Sequence, residues 1–152
     1  MWVIVLTFLT LIADQGLKWW ITTNFPLNKS ISWFDKLVSW HYIQNEGASW
    51  GMLAGRSTLL IMISLAAVLY LSYLAYHNRQ QSQWIQLGLG LVIGGALGNL
   101  IDRILYGYVI DMFKLEFIDF PVFNIADSAI TVGILILIAA TWLLPEERGL
   151  KI

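Results

Sequence analysis

Cysteine is absent from this 152-residue chain, which excludes disulfides, thiolate catalysis and cysteine-ligated metals. Charge is scarce. Only 12% of residues are Asp, Glu, Lys or Arg, about half of the ~25% that a soluble domain carries. Basic runs are lacking and the net charge is −1, so no nucleic acid is expected as a partner. There are two histidines, His41 and His77, and no H-E-x-x-H. That is too few ligands for a zinc hydrolase, and neither a metal nor a cofactor is expected. No Lys or Arg precedes Lys18, and Asp14 interrupts the first apolar run. The N-terminal stretch thus lacks the basic region and cleavage site of a signal peptide and reads as a retained spanning helix. Internal repeats and low-complexity segments are missing too.

What is abundant is apolar surface. Hydrophobic residues make up 58% of the chain, and the mean hydropathy is +0.68. The length suits one domain covering residues 1–152. A helix needs about 20 mostly apolar residues to cross about 30 Å of hydrocarbon. Four stretches qualify, at about 1–22, 57–76, 84–105 and 125–144, the last stopped by Pro145. The fold class expected is an all-α polytopic membrane protein. Eight Trp and six Tyr suit the two membrane–water interfaces.

Two connections are more than turns. Residues 24–56 form a long loop in which Val38, Trp40 and Tyr42 alternate with polar residues, as in a half-buried strand. Residues 106–124 form another, with a β-like stretch around Tyr108–Phe117. Helix alternation puts both loops on one side of the membrane, and the short 77–83 connection and both termini on the other. Lys29, Lys36, Arg56 and Lys114 belong to the loop side; Arg79, Arg148 and Lys151 belong to the other. Positive-inside reasoning weakly favours cytoplasmic loops.

Ionisable groups within spanning segments are functional candidates by default. Asp14 and Lys18 stand four apart on one helix face and read as an internal ion pair, with Lys18 snorkelling toward the interface. In the third stretch Gly90, Gly94 and Gly98 form small-xxx-small faces for a close helix neighbour. Gly95, Asn99 and Arg103 make a second stripe with Asp102 beside it, and this polar cluster requires polar partners. Asp111 follows that helix. Asn124 is placed as the N-cap of the fourth helix, with Asp127 at N3 in a capping box. If Asp111 and Asp127 meet, two adjacent carboxylates share one proton. One then takes a proton from water while the other donates to a carbonyl. Gly47-Ala48-Ser49-Trp50-Gly51 fits G-x-S-x-G, but that motif needs an α/β sheet and a positioned His. A serine hydrolase is therefore not expected, and His41 is assigned to the strand surface.

Five blocks together resemble bacterial lipoprotein signal peptidase (signal peptidase II). They are Asp14-Gln15-Gly16-Leu17-Lys18; Asn45-Glu46-Gly47-Ala48-Ser49-Trp50-Gly51; Gly94 through Arg103; Val109-Ile110-Asp111; and Phe123-Asn124-Ile125-Ala126-Asp127-Ser128. Each is weak alone, but all five in order span nearly the whole chain. The resemblance implies an aspartyl endopeptidase of the bacterial cytoplasmic (inner) membrane. Such an enzyme cuts prolipoproteins before a diacylglyceryl-modified cysteine. It implies Asp111 and Asp127 as the catalytic dyad, and Asn45, Asn99, Arg103 and Asn124 as substrate-binding residues. Asp14, Lys18, Gly47, Gly95 and Asp102 are implied as structural support. It further implies cytoplasmic termini, a small extracytoplasmic β-cradle from the first loop, a lipid-facing second loop, membrane lipid as partner and a monomer. This orientation opposes the charge count and is preferred to it. Trp33, Trp40 and Trp50 are expected at the interface. Two departures stand out: Met112, where an aromatic is common, which bears on substrate fit, and a first helix starting almost at Met1.

The leading rival is a small proton- or ion-coupled transporter using Asp14, Asp102 and Asp127, which predicts an inverted repeat. A helix-binding assembly subunit and a peptidase of the G-x-G-D type, whose motif is missing, are weaker.

Overall fold

The computed structural model describes residues 2–34, 37–48, 52–145 and 150. Four helices are long and apolar enough to span a membrane: α1 (Trp2–Asn24), α2 (Ser57–His77), α3 (Gln83–Tyr106) and α4 (Ile125–Leu143). These bounds match the four apolar stretches to within two residues. With 19 to 24 residues each, they run about 28–36 Å at 1.5 Å per residue. The chain is a multi-pass membrane protein.

α3 is the central helix. Of its spanning window 67% is buried, against 17–22% for the other three. Glycine makes this possible, because close backbone approach needs small residues. A Cβ on Gly90 would stand 2.9 Å from Leu6 Cβ, and one on Gly94 would stand 2.8 Å from Thr10 Cβ, so this stripe seats α1. The Gly95 side of α3 seats α4: a Cβ there would run into the Ala126 carbonyl. Gly133 of α4 returns the fit, with Val92 Cγ2 at 2.7 Å and the Gly88 carbonyl at 2.8 Å from a Cβ placed on it.

Both loops contribute to one antiparallel sheet in the order β1 (Ser30–Phe34), β2 (Val38–Asn45), β3 (Val109–Leu115). β1 and β2 come from the first connection and β3 from the second, so the two connections share a side, as helix alternation requires. β1 departs from expectation. The alternation of Ser30, Ile31, Ser32 and Trp33 signals a strand, but it lies within a stretch read only as loop. β2 also departs from strict alternation. A bulge between Trp40 and Ile43 shifts the pattern, so that Ser39 and Tyr42 are buried and Trp40 is only half-buried. Ser39 is satisfied there by donating to Glu116 Oε1 at 2.5 Å.

Aromatic rings join the sheet to α1. Trp40 stands 5.6 Å from Trp20, 4.8 Å from Trp33 and 5.2 Å from Phe113, spacings that favour tilted and edge contacts. Trp33 is exposed, whereas Trp50 lies outside the described residues. Met112 is fully buried against Ile21, Tyr42 and Ile110. It therefore belongs to the core beneath the sheet and does not line the cavity described below, contrary to the expectation that it bears on substrate fit.

Candidate active site

Three chain breaks in regular structure deliver the polar residues to one level. α3 ends at Gly107, whose φ of +83° makes a left-handed cap that glycine adopts without strain. Asp102 and Arg103 thus occupy the last turns of α3, and β3 begins at Val109 with Asp111 two residues on. α4 starts at its N-cap Asn124, with the capping box in place. Asn124 Oδ1 accepts the Asp127 amide at 2.8 Å, and Asp127 Oδ2 accepts the Asn124 amide at 3.2 Å.

Asp111 and Asp127 line one cavity of about 590 Å³. Asn45, Asn99, Arg103, Ser128 and Thr131 add to its polar wall, and Val109, Phe120, Phe123 and Ile130 are among its apolar neighbours. A second cavity, of about 510 Å³ and lined by residues of α1, α2 and α3 and by Arg79, has no carboxylate among its described lining residues. Asp111 Oδ1 accepts from Asn124 Nδ2 at 2.7 Å, and its Oδ2 accepts from Asn45 Nδ2 at 2.9 Å. Asp127 Oδ1 accepts from Asn99 Nδ2 at 2.8 Å. Burial, and after it the neighbouring Asp127 charge, push the Asp111 carboxyl up to about 7. Asp111 therefore titrates near neutral pH, where a proton donor and acceptor are both useful.

The remaining groups form a connected frame. Asn45 Oδ1 accepts the Gly47 amide at 3.0 Å, while the Gly47 carbonyl accepts from Arg103 Nη2 at 3.1 Å. This ties the loop after β2 to the end of α3. The Asp14–Lys18 ion pair is present at 2.8 Å, but Lys18 does not snorkel. Its side chain is 2% exposed and reaches inward to Asp102 at 2.9 Å and to Asn99 Oδ1 at 3.1 Å. In hydrocarbon an ammonium is better placed among three oxygen acceptors than at the lipid surface.

Of the sequence-predicted site residues, Asn45, Asn99, Arg103, Asp111 and Asp127 line the cavity. Asn124, expected to bind substrate, does not: it is fully buried, with its amide spent on Asn99, Asp111 and the Asp127 backbone. Gln15 is an addition. It is quoted within the first block, but nothing singles it out; its Nε2 donates to Asp102 Oδ1 at 2.9 Å and to the Gly98 carbonyl at 3.2 Å. Its position between Asp14 and Lys18, in a helix that is otherwise mostly apolar, is the signal available. His41 lies on β2, half-buried, and it does not line the cavity. Ser49, Trp50 and Gly51 of the G-x-S-x-G stretch lie outside the described residues.

Known proteins resemble this chain in sequence and fold. The family model described as Signal peptidase (SPase) II matches residues 6–143. A lipoprotein signal peptidase of Lactobacillus gasseri is 44% identical over 133 residues, 88% of this chain and 86% of that protein. One of Streptococcus pneumoniae is 41% identical over 145 residues, covering 95% and 94%. A bacterial membrane enzyme solved by the in meso method at 2.3 Å superposes with a TM-score of 0.87 at 31% identity, over 99% of this chain and 93% of that one.

Proposed function

The chain belongs to the signal peptidase II family, and we propose that it is a lipoprotein signal peptidase of the aspartyl type. It hydrolyses the peptide bond before a diacylglyceryl-modified cysteine in a prolipoprotein. The observation that carries the reading is the joint lining of one cavity by Asp111 and Asp127, delivered by separate elements and bridged by Asn124.

Two carboxylates that close share one proton. Asp111, protonatable near neutral pH, holds it. Asp127 sits in the first turn of α4, where the positive end of the helix dipole suits a carboxylate. The Asp127 carboxylate takes a proton from a water as its oxygen adds to the scissile carbonyl carbon. Asp111 gives its proton to the carbonyl oxygen. Collapse of the tetrahedral intermediate breaks the C–N bond, and the departing nitrogen receives a proton from the dyad. Asn45, Asn99 and Arg103, which line the cavity, bind the polar groups of the substrate backbone, while the buried Asn124 holds both carboxylates in place.

The lipid anchor of the substrate sets the depth of the scissile bond, which supplies positioning, while the apolar walls exclude bulk water and strengthen the electrostatics. The enzyme works as a monomer in the bacterial cytoplasmic membrane. Its sheet and site face the extracytoplasmic side, and Trp33 rests at the interface. The test is cleavage of a diacylglyceryl-modified precursor by purified protein in detergent with chelator present. Wild type cuts before the modified cysteine, whereas folded Asp111→Asn and Asp127→Asn do not. An uncut precursor, or cutting by either variant, overturns the reading and returns the chain to the transporter alternative.

A further inference from the structure

Behind the two site aspartates lies a buried charge cluster that touches neither of them directly. Asp14 Oδ1 accepts the backbone amide of Ala126 at 2.9 Å. Asp102 Oδ2 accepts the backbone amide of Ile110 at 3.0 Å. Ala126 immediately precedes Asp127, and Ile110 immediately precedes Asp111. The two carboxylates are joined by one ammonium, Lys18 Nζ, at 2.8 and 2.9 Å. Gln15 Nε2 spans the same pair, at 2.9 Å from Asp102 Oδ1 and 3.3 Å from Asp14 Oδ2. We infer that the Asp14–Lys18–Asp102 cluster is a spacer that sets the separation of Asp111 and Asp127, with Lys18 as the positioning residue; the catalytic part of this inference rests on the function proposed above.

Stability alone is a poor explanation for the cluster. Buried ion pairs seldom outperform well-packed apolar residues of similar volume, because desolvation offsets the attraction. Geometry explains it better. Lys18 carries three donors and has three acceptors around it: Asp14, Asp102 and Asn99 Oδ1. An ammonium cannot accept a hydrogen bond, so Asn99 must turn its oxygen toward Lys18. Its Nδ2 is then left to donate to Asp127 at 2.8 Å. The same Asn99 oxygen takes Asn124 Nδ2 at 3.0 Å, the group that also donates to Asp111. Lys18 thereby orients the amides on both aspartates as well as the backbone before each.

The test is Lys18→Met, with Lys18→Arg beside it. Amide hydrogen exchange is read over residues 109–112 and 124–128 in detergent, and kcat, KM and the pH profile are read on the lipidated precursor. In Lys18→Met exchange rises in both segments together, with α2 unchanged. Its kcat falls about 100-fold, the scale expected for a displacement of about 1 Å between reacting groups, while KM stays within about threefold. The pH profile also moves upward. The charged groups facing Asp111 are Asp127 on α4, Lys18 on α1 and Arg103 on α3, with Asp14 on α1 and Asp102 on α3 paired to Lys18 behind them, and loss of the Lys18 cation leaves Asp127 and these two carboxylates less opposed. Lys18→Arg keeps the charge but not the compact tripod, so it keeps the profile and loses rate. Unchanged exchange in either segment of Lys18→Met, or a wild-type rate in Lys18→Arg, overturns the spacer. Exchange needs no substrate, so a protein that cuts nothing would sink the proposed function and still leave the spacer testable.

Discussion

Replacing Asp111 by Asn should separate stability from activity. In the folded protein its carboxyl stands at about 7 instead of 3.8, first because it is buried and second because Asp127 is near. Between about pH 4 and 7 the folded state therefore holds a proton that the unfolded chain has released. Stability falls as pH rises through that window and levels off above it. The rise of about 3 pH units, at about 1.4 kcal/mol each, costs the native state about 4 kcal/mol at pH 8. Asn cannot ionise, so the variant escapes this cost. Against that, Asp111 accepts from two amide nitrogens, Asn124 Nδ2 and Asn45 Nδ2. Asn offers one oxygen, so one donor would face an NH₂ group, at a cost of about 1–3 kcal/mol. The expected net result is a gain of about 1–3 kcal/mol at pH 8, shrinking to nothing or to a loss by pH 5. Unfolding in detergent from pH 5 to 8, followed through the tryptophan fluorescence, reads the difference. A wild-type-to-variant gap that stays constant across this range would refute the reasoning, because Asp111 would then not titrate there.

Two further outcomes follow from packing and hydrogen bonding. Gly95→Ala places a methyl against the Ala126 carbonyl and 2.8 Å from Ile130 Cγ1; backbone cannot step aside easily, so stability drops by about 1–3 kcal/mol, while Gly16→Ala, with open space around it, does not destabilise the protein, and thermal unfolding of the pair checks the contrast. Asn45→Ala removes the donor to Asp111 Oδ2 and the acceptor for the Gly47 amide; the lost bond strengthens as Asp111 gives up its proton, and a hydrogen bond to a charged group is worth about 1.5–3 kcal/mol, so precursor cleavage slows about 10- to 100-fold in a protein that still folds.

The sequence by itself determined the four spans, because hydropathy acts locally and residue by residue: a run such as Ser57–His77 must be helical in hydrocarbon to satisfy its own backbone. It also determined the start of α4, since an Asn124–Asp127 cap closes within four residues. The glycine stripes were legible as close-packing faces, though which neighbour each stripe meets was not. Gly94 meets α1 and Gly95 meets α4, and adjacent positions on one helix carry no label for their partners. Tertiary structure decided the site. Asn45, Asp111 and Asp127 are separated by long stretches of chain, and no local rule places them in one cavity. Only the pairing of β2 with β3 and the docking of α4 on α3 does so. Tertiary structure also turned Lys18 inward. A lysine near a helix end usually snorkels, but Asp102 and Asn99, both on α3, supply acceptors that cannot be read from α1. The physical reason is common to all these cases. Burial of polar groups in a membrane protein is permitted only by partners that complete their hydrogen bonds, and those partners arrive from elsewhere in the chain.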